Sequence, residues 1–125
     1  MRAFTLQDWI TIRSGTSNGV INQPESGWLD LSDYEDVVFW LDVKEILTGT
    51  PTMLYQTSPT ADESLFMPLA AAVPMSTLSV AVTKALVANA TTPLARYVRW
   101  QMTGPGPTPW DATFRILVTA FGQGM

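Results

Sequence analysis

From Asp36 onward the chain alternates: Val37, Phe39, Leu41 and Val43 fall on one side of an extended strand, and Val38, Trp40, Asp42 and Lys44 on the other. Successive side chains of a strand point to opposite faces, so the first set predicts a core-facing row. The second leaves Trp40 beside two charged residues on the opposite face. The same period of two returns toward the C-terminus. Val98, Trp100 and Met102 alternate with Tyr97, Arg99 and Gln101, and Phe114, Ile116, Val118 and Ala120 alternate with Thr113, Arg115, Leu117 and Thr119. Each of these strands offers one apolar and one mixed face. Phe39, Leu41, Val98, Trp100, Phe114 and Ile116 are the predicted core.

Similar segments, rich in β-branched and aromatic residues, recur along the chain. They predict strands at residues 4–6, 9–13, 28–31, 36–43, 52–57, 65–69, 77–83, 96–102 and 112–121. The intervening stretches 14–19, 23–27, 47–51, 58–63 and 104–109 each carry the Gly, Pro, Asn, Asp or Ser that turns need. Eight or nine short strands at this spacing predict an all-β chain, a two-layer antiparallel β-sandwich of jelly-roll type, with residues 1–125 as one domain. Residues 69–73 and 76–90 lack a clean period, and a short helix over 84–89 is the alternative there.

Composition changes the picture in one respect. Only 14% of the residues are charged and 46% are hydrophobic, against about 25% charged in an ordinary soluble domain. A chain of this size buries roughly two thirds of the surface it exposes when unfolded, so part of the apolar excess must lie outside the core. Neighbouring molecules are expected to cover it, which makes the chain a subunit of an assembly.

Several function classes drop out. With no Cys there is no disulfide framework and no thiolate metal site, and with no His the commonest general base and zinc ligand are missing. The sequence holds no Gly-x-Ser-x-Gly elbow, Walker loop or dinucleotide glycine fingerprint. No enzyme activity and no cofactor are expected. The net charge is -4, with Glu25, Asp30, Asp33, Glu35, Asp36, Asp42 and Glu45 supplying seven of the eleven acids and the seven cations scattered. That distribution repels phosphate backbones and argues against nucleic acid as a partner. Pro68, Pro74, Lys84 and Asn89 interrupt the most apolar stretch, residues 65–94, which therefore lacks the ~20 unbroken apolar residues of a membrane helix. The first residues show no apolar signal core, so Sec-type export is not expected.

Four residues stand out as interface or ligand-stacking candidates: Trp40, Trp110, Tyr97 and Arg99. An exposed Trp40 indole could stack on a sugar ring or anchor a protein interface, or pack in a second layer of the same chain. Trp110 follows a loop stiffened by Pro105, Pro107 and Pro109 that either presents the ring as a platform or plugs one end of the core. Asp30 and Asp33 are weak Ca²⁺ candidates, as are Asp62 and Glu63, because hard cations prefer carboxylate oxygens. Their spacing matches no EF-hand loop, and a solvated turn accounts for them as well.

Three runs carry a family resemblance. Trp28-Leu29-Asp30-Leu31-Ser32-Asp33-Tyr34 leads into Val37-Val38-Phe39-Trp40-Leu41-Asp42-Val43. The second run extends from Leu54-Tyr55-Gln56-Thr57-Ser58 to Glu63-Ser64-Leu65-Phe66, and the third is Arg96-Tyr97-Val98-Arg99-Trp100. Together they resemble small β-sandwich proteins encoded in tailed-phage and prophage structural regions, which are similar in outline to galactose-binding and discoidin-like jelly rolls. The resemblance covers about two thirds of the chain. It implies a virion component assembled in the host cytoplasm, such as a capsid decoration or head-associated protein. Its partners would be copies of itself and the major capsid protein or another virion protein, and the family offers no catalytic residues to carry over. Unlike sugar-binding jelly rolls, this chain has no disulfides and no cluster of sugar-binding loop side chains. Two other readings stay open: a carbohydrate-binding module using Trp40, Trp110 or Tyr97, with Ca²⁺ near Asp30 and Asp33, and a tail or head-to-tail connector subunit.

Overall fold

The computed structural model describes residues 1–13, 20–77, 79–86, 91–104 and 109–122. Within them lie ten strands: β1 (Arg2–Arg13), β2 (Val20–Asn22), β3 (Leu29–Asp30), β4 (Asp36–Glu45), β5 (Thr52–Ser58), β6 (Met67–Pro68), β7 (Val73–Pro74), β8 (Ala81–Ala85), β9 (Tyr97–Thr103) and β10 (Asp111–Phe121). Every pairing among them is antiparallel. One sheet has the order β1-β10-β4-β8. In the other, β9 and β5 lie side by side at the centre, β2 and β3 share the far side of β9, and β6 and β7 share the far side of β5. Each of these pairs of short strands is one broken edge strand, interrupted by the segments that hold Glu25–Gly27 and residues 69–72. Eight strand positions in two sheets of four, with the chain crossing repeatedly between sheets, is the jelly-roll arrangement.

The inner faces meet in one core. Val37, Phe39, Leu41, Phe114, Ile116 and Val118 from the first sheet face Met53, Tyr55, Val98, Trp100 and Met102 from the second, all of them buried. Two aromatic pairs bridge the layers. Phe39 stacks on Tyr55 with centroids 3.9 Å apart and planes 3° from parallel, and Trp100 meets Phe114 edge-on at 5.5 Å. The six residues expected to form the core all lie in it.

One polar side chain stitches the end of the core. Gln23 is buried; its Nε2 donates to the carbonyls of Leu6 (2.7 Å) and Gly27 (2.9 Å), and its Oε1 accepts from the Trp100 amide at 3.3 Å. A side chain at position 27 would strike that amide group, since a Cβ there would lie 2.6 Å from Gln23 Nε2. The 3₁₀ turn Glu25–Gly27 is thereby held against β1 and β9.

The structure revises several expected elements. The two segments expected at 4–6 and 9–13 are one strand, β1, with register shifts between Thr5 and Gln7 and between Gln7 and Ile10. Such bulges interrupt the period without ending the strand. The segment expected at 65–69 opens instead as a 3₁₀ turn, Glu63–Leu65, capped by Asp62, whose carboxylate accepts from the Ser64 amide at 3.0 Å. The strand expected at 77–83 is β8, displaced to Ala81–Ala85. Residues 84 and 85, assigned to a helix in the alternative reading, are therefore extended; residues 87–90 lie outside the described residues. The turn expected at 14–19 and most of the one at 104–109 also lie outside them.

Candidate interaction surface

The registers of the first sheet fix what its outer face presents. Leu117 lies opposite Thr5 on one side and Trp40 on the other, and Trp40 lies opposite Val82. A row Thr5–Leu117–Trp40–Val82 therefore crosses all four strands on the face turned away from the core. Beside it, Arg115 is opposite Asp42, with Nε 3.1 Å from Oδ2. The Arg115 guanidinium also sits 4.9 Å from the ring centroid of Trp9. The two register shifts in β1 cancel in parity, so Phe4, Leu6, Ile10 and Ile12 all pack in or against the core and Trp9, of the opposite parity, faces outward.

The result is an apolar band beside which Trp40 pairs with Thr119 and Arg115 with Asp42. Trp9, Val80, Val82, Trp40 and Leu117 expose 44, 47, 45, 40 and 37% of their surface. The Trp40 Nε1 donates to Thr119 Oγ1 at 3.1 Å, which ties the indole to β10. Phe4, Thr5, Trp40, Val80, Arg115 and Leu117 line an open groove of about 440 Å³. Sugar recognition needs polar partners free to take up hydroxyls, since a polar group buried without a hydrogen bond is costly. Around Trp40 the indole N–H is taken by Thr119 and the Arg115 guanidinium by Asp42, so the groove offers chiefly apolar area and shape.

The other candidates lie elsewhere and do not converge. Trp110 is 1% exposed, and a Cβ added at Gly104 would collide with its indole, while one at Gly49 (φ +79°) would lie 2.5 Å from its own Cβ. The ring plugs the core end, and the platform reading of Trp110 is corrected. Arg99 is also buried, at 4% exposure. Its guanidinium lies 4.1 Å from the Phe66 ring centroid and 5.7 Å from that of Trp28. Nε donates to Gln56 Oε1 at 2.9 Å and Nη1 to Glu63 Oε1 at 3.2 Å. The mixed face of β9 is thus roofed by Trp28 and Phe66, which pack edge to face at 4.7 Å. Arg99 clamps that roof and presents no free surface. Tyr97 is half-buried under the Arg96 guanidinium, 5.1 Å from its ring centroid, on the sheet opposite Trp40.

The carboxylates proposed for Ca²⁺ have other work. Asp30 accepts from the Ser32 amide (3.1 Å) and from Arg96 Nε (3.0 Å), and these two contacts hold its carboxyl below its ordinary pKa. Asp62 caps its 3₁₀ turn through the hydroxyl and amide of Ser64, which lower its pKa likewise. Asp33 is exposed. Among the described residues no three His, Cys, Asp or Glu side chains gather where a metal ion could be held.

Sequence reasoning placed Trp40 on this face and missed Trp9, Val80 and Val82. Leu117 and Arg115 were visible as the mixed face of β10, and their register with Trp40 and Asp42 was the missing link.

No protein-family model matches the sequence, and no curated protein matches it. The fold is similar to that of a chain in a solved structure of infectious bursal disease virus, Gx strain, with a TM-score of 0.54 and 11% identity over 98% of this chain and 33% of that one. A chain in a structure of the Gt strain of the same virus aligns with a TM-score of 0.42 and 10% identity, over 98% of this chain and 32% of that one. The present chain spans about a third of the length of either, and the likeness to the Gx-strain chain is one of fold.

Proposed function

We propose that this chain is a non-enzymatic structural subunit of a virus particle, a capsid decoration or head-associated protein of a phage that bridges and stabilises the shell. It would reside in the virion, assembled in the host cytoplasm, with the major capsid protein or another virion protein as its partner. The observation that carries this reading is the apolar band across the outer face of the four-stranded sheet, in a chain otherwise poor in charge. Contiguous exposed apolar surface of several hundred Å² marks an interaction site in a soluble protein. The fold likeness to a chain from a virus structure supports the same direction.

Stabilisation would follow from linkage: a subunit that binds the assembled shell and not its dissociated parts shifts the equilibrium toward assembly. Adding the purified protein to shells that lack it tests the reading. The expected result is saturable co-sedimentation at a fixed ratio to the shell subunit, with disruption of the shell moved to higher temperature. Protein left wholly in the soluble fraction, with the disruption temperature unchanged, would refute it.

A further inference from the structure

The outer face of the first sheet carries a projecting ring, an open groove and an ion pair side by side. Trp9 stands over Arg115, and Arg115 lines the groove that Trp40, Leu117 and Phe4 also form. We propose that the occupant of this face is a second copy of the chain, packed face to face about a two-fold axis near Arg115 and Asp42, with Trp9 of each copy in the groove beside Trp40 of the other. This rests on the reading of the chain as an assembling subunit and adds the surface and the symmetry.

Size, charge and shape each support a like partner. β4 is 10 residues long and β10 is 11. Four strands about 4.8 Å apart, rising about 3.3 Å per residue, make a face of roughly 600 Å² in projection. A standard interface takes about 800 Å² of accessible surface from each partner, so the sheet face supplies nearly the whole contact. The charges near its centre, Arg115 and Asp42, form an opposed pair. A two-fold axis sets a second pair against the first, so that each guanidinium also faces the other copy's carboxylate. An isologous contact requires this self-complementarity, in which residue i meets j and j meets i. A knob (Trp9) and a hole (the groove of about 440 Å³) on one face meet the same requirement. Packing two sheets face to face about 10 Å apart also repeats the geometry by which the inner faces already pack.

Sedimentation equilibrium of the full chain, from micromolar to millimolar concentration, tests the proposal. The expected result is a monomer–dimer equilibrium whose dissociation constant rises at least about thirtyfold in Leu117→Glu and in Val82→Glu. The two substitutions are on different strands, and a thermal melt of each confirms that the monomer folds. Because the native chain has no cysteine, position can be read directly. Leu117→Cys should be cross-linked to dimer by a short bis-maleimide, and Leu65→Cys, on the 3₁₀ turn of the other sheet, should not. A wild-type monomer at every concentration, or cross-linking through Leu65→Cys alone, would overturn the proposal. Shell binding by a protein that stays monomeric would overturn the dimer and leave the particle reading standing; a dimer that ignores shells would do the reverse.

Discussion

Replacing Trp110 by alanine separates a core plug from a binding platform. The indole is 1% exposed and packs against the backbone at Gly49 and Gly104. An aromatic side chain of this size buries about 150–250 Å², which at about 25 cal/mol per Å² corresponds to roughly 4–6 kcal/mol as an upper figure. Measured Trp→Ala changes in cores fall at about 3–5 kcal/mol, and the expected loss is therefore about 4 kcal/mol. A domain of this size has about 5–15 kcal/mol in total, so Trp110→Ala stays folded only marginally. At about 4 °C per kcal/mol its melting temperature falls by roughly 15 °C. Urea unfolding followed by circular dichroism reads the free energy, and the slope checks that the same surface is exposed. Gly104→Ala should destabilise in the same direction by about 1–3 kcal/mol, because the new methyl displaces an indole that is otherwise intact. A loss below about 1 kcal/mol for Trp110→Ala, the size of an ordinary surface change, would refute the plug and restore the platform.

Three further outcomes follow from the same geometry. The Tyr55 hydroxyl is buried with no hydrogen-bond partner among the described residues, and burial pushes its pKa up; Tyr55→Phe removes an unsatisfied group and should stabilise by about 1 kcal/mol, whereas a loss of that size in urea unfolding would show that the hydroxyl is bonded. Arg99→Ala deletes the contacts with Phe66 and Trp28 and leaves Gln56 Oε1 without its donor; a cost of about 2–4 kcal/mol is expected, discounted because Glu63 is largely exposed, and Arg99→Met should recover part of it by refilling the space. Asp30 and Asp62 have folded pKa values below the ordinary 3.8, so their contribution is present above that pH and is lost as pH falls through the depressed values. Urea midpoints measured from pH 5 downward should therefore decline less steeply in Asp62→Asn than in the native chain, and identical slopes would contradict the assignment.

The legible part of the fold was the part with a long period. β4, β9 and β10 each carry at least three alternating apolar residues, and Val37, Phe39, Val98, Trp100, Phe114 and Ile116 could be assigned to the core from that alone. β2, β3, β6 and β7 are two or three residues long, too short to show any period. Arg99 looked like an outward residue because alternation gives the side of the sheet and not what covers it. The cover, Trp28 and Phe66, comes from segments expected to be strands. Trp9 escaped for a different reason: alternation with Ile10 and Ile12 gives its side of the strand, but only the pairing of β1 with β10 sets it beside Arg115. Trp40 was placed correctly, but its neighbours Leu117 and Val82 become neighbours only through pairings that span tens of residues.

Oxidative footprinting of the protein, free and bound to particles, addresses the interaction surface most directly. In the free protein, diluted until it is monomeric, Trp9 and Trp40 should react while Trp100 and Trp110, buried in the core, do not. On assembly Trp9 and Trp40 should become protected, with Leu65 and Met67 on the other sheet still open to reagent. Unchanged reactivity of Trp9 and Trp40 in the particle-bound protein, with protection confined to Leu65 and Met67, would mean that the outer face of the four-stranded sheet is not the surface by which this chain assembles.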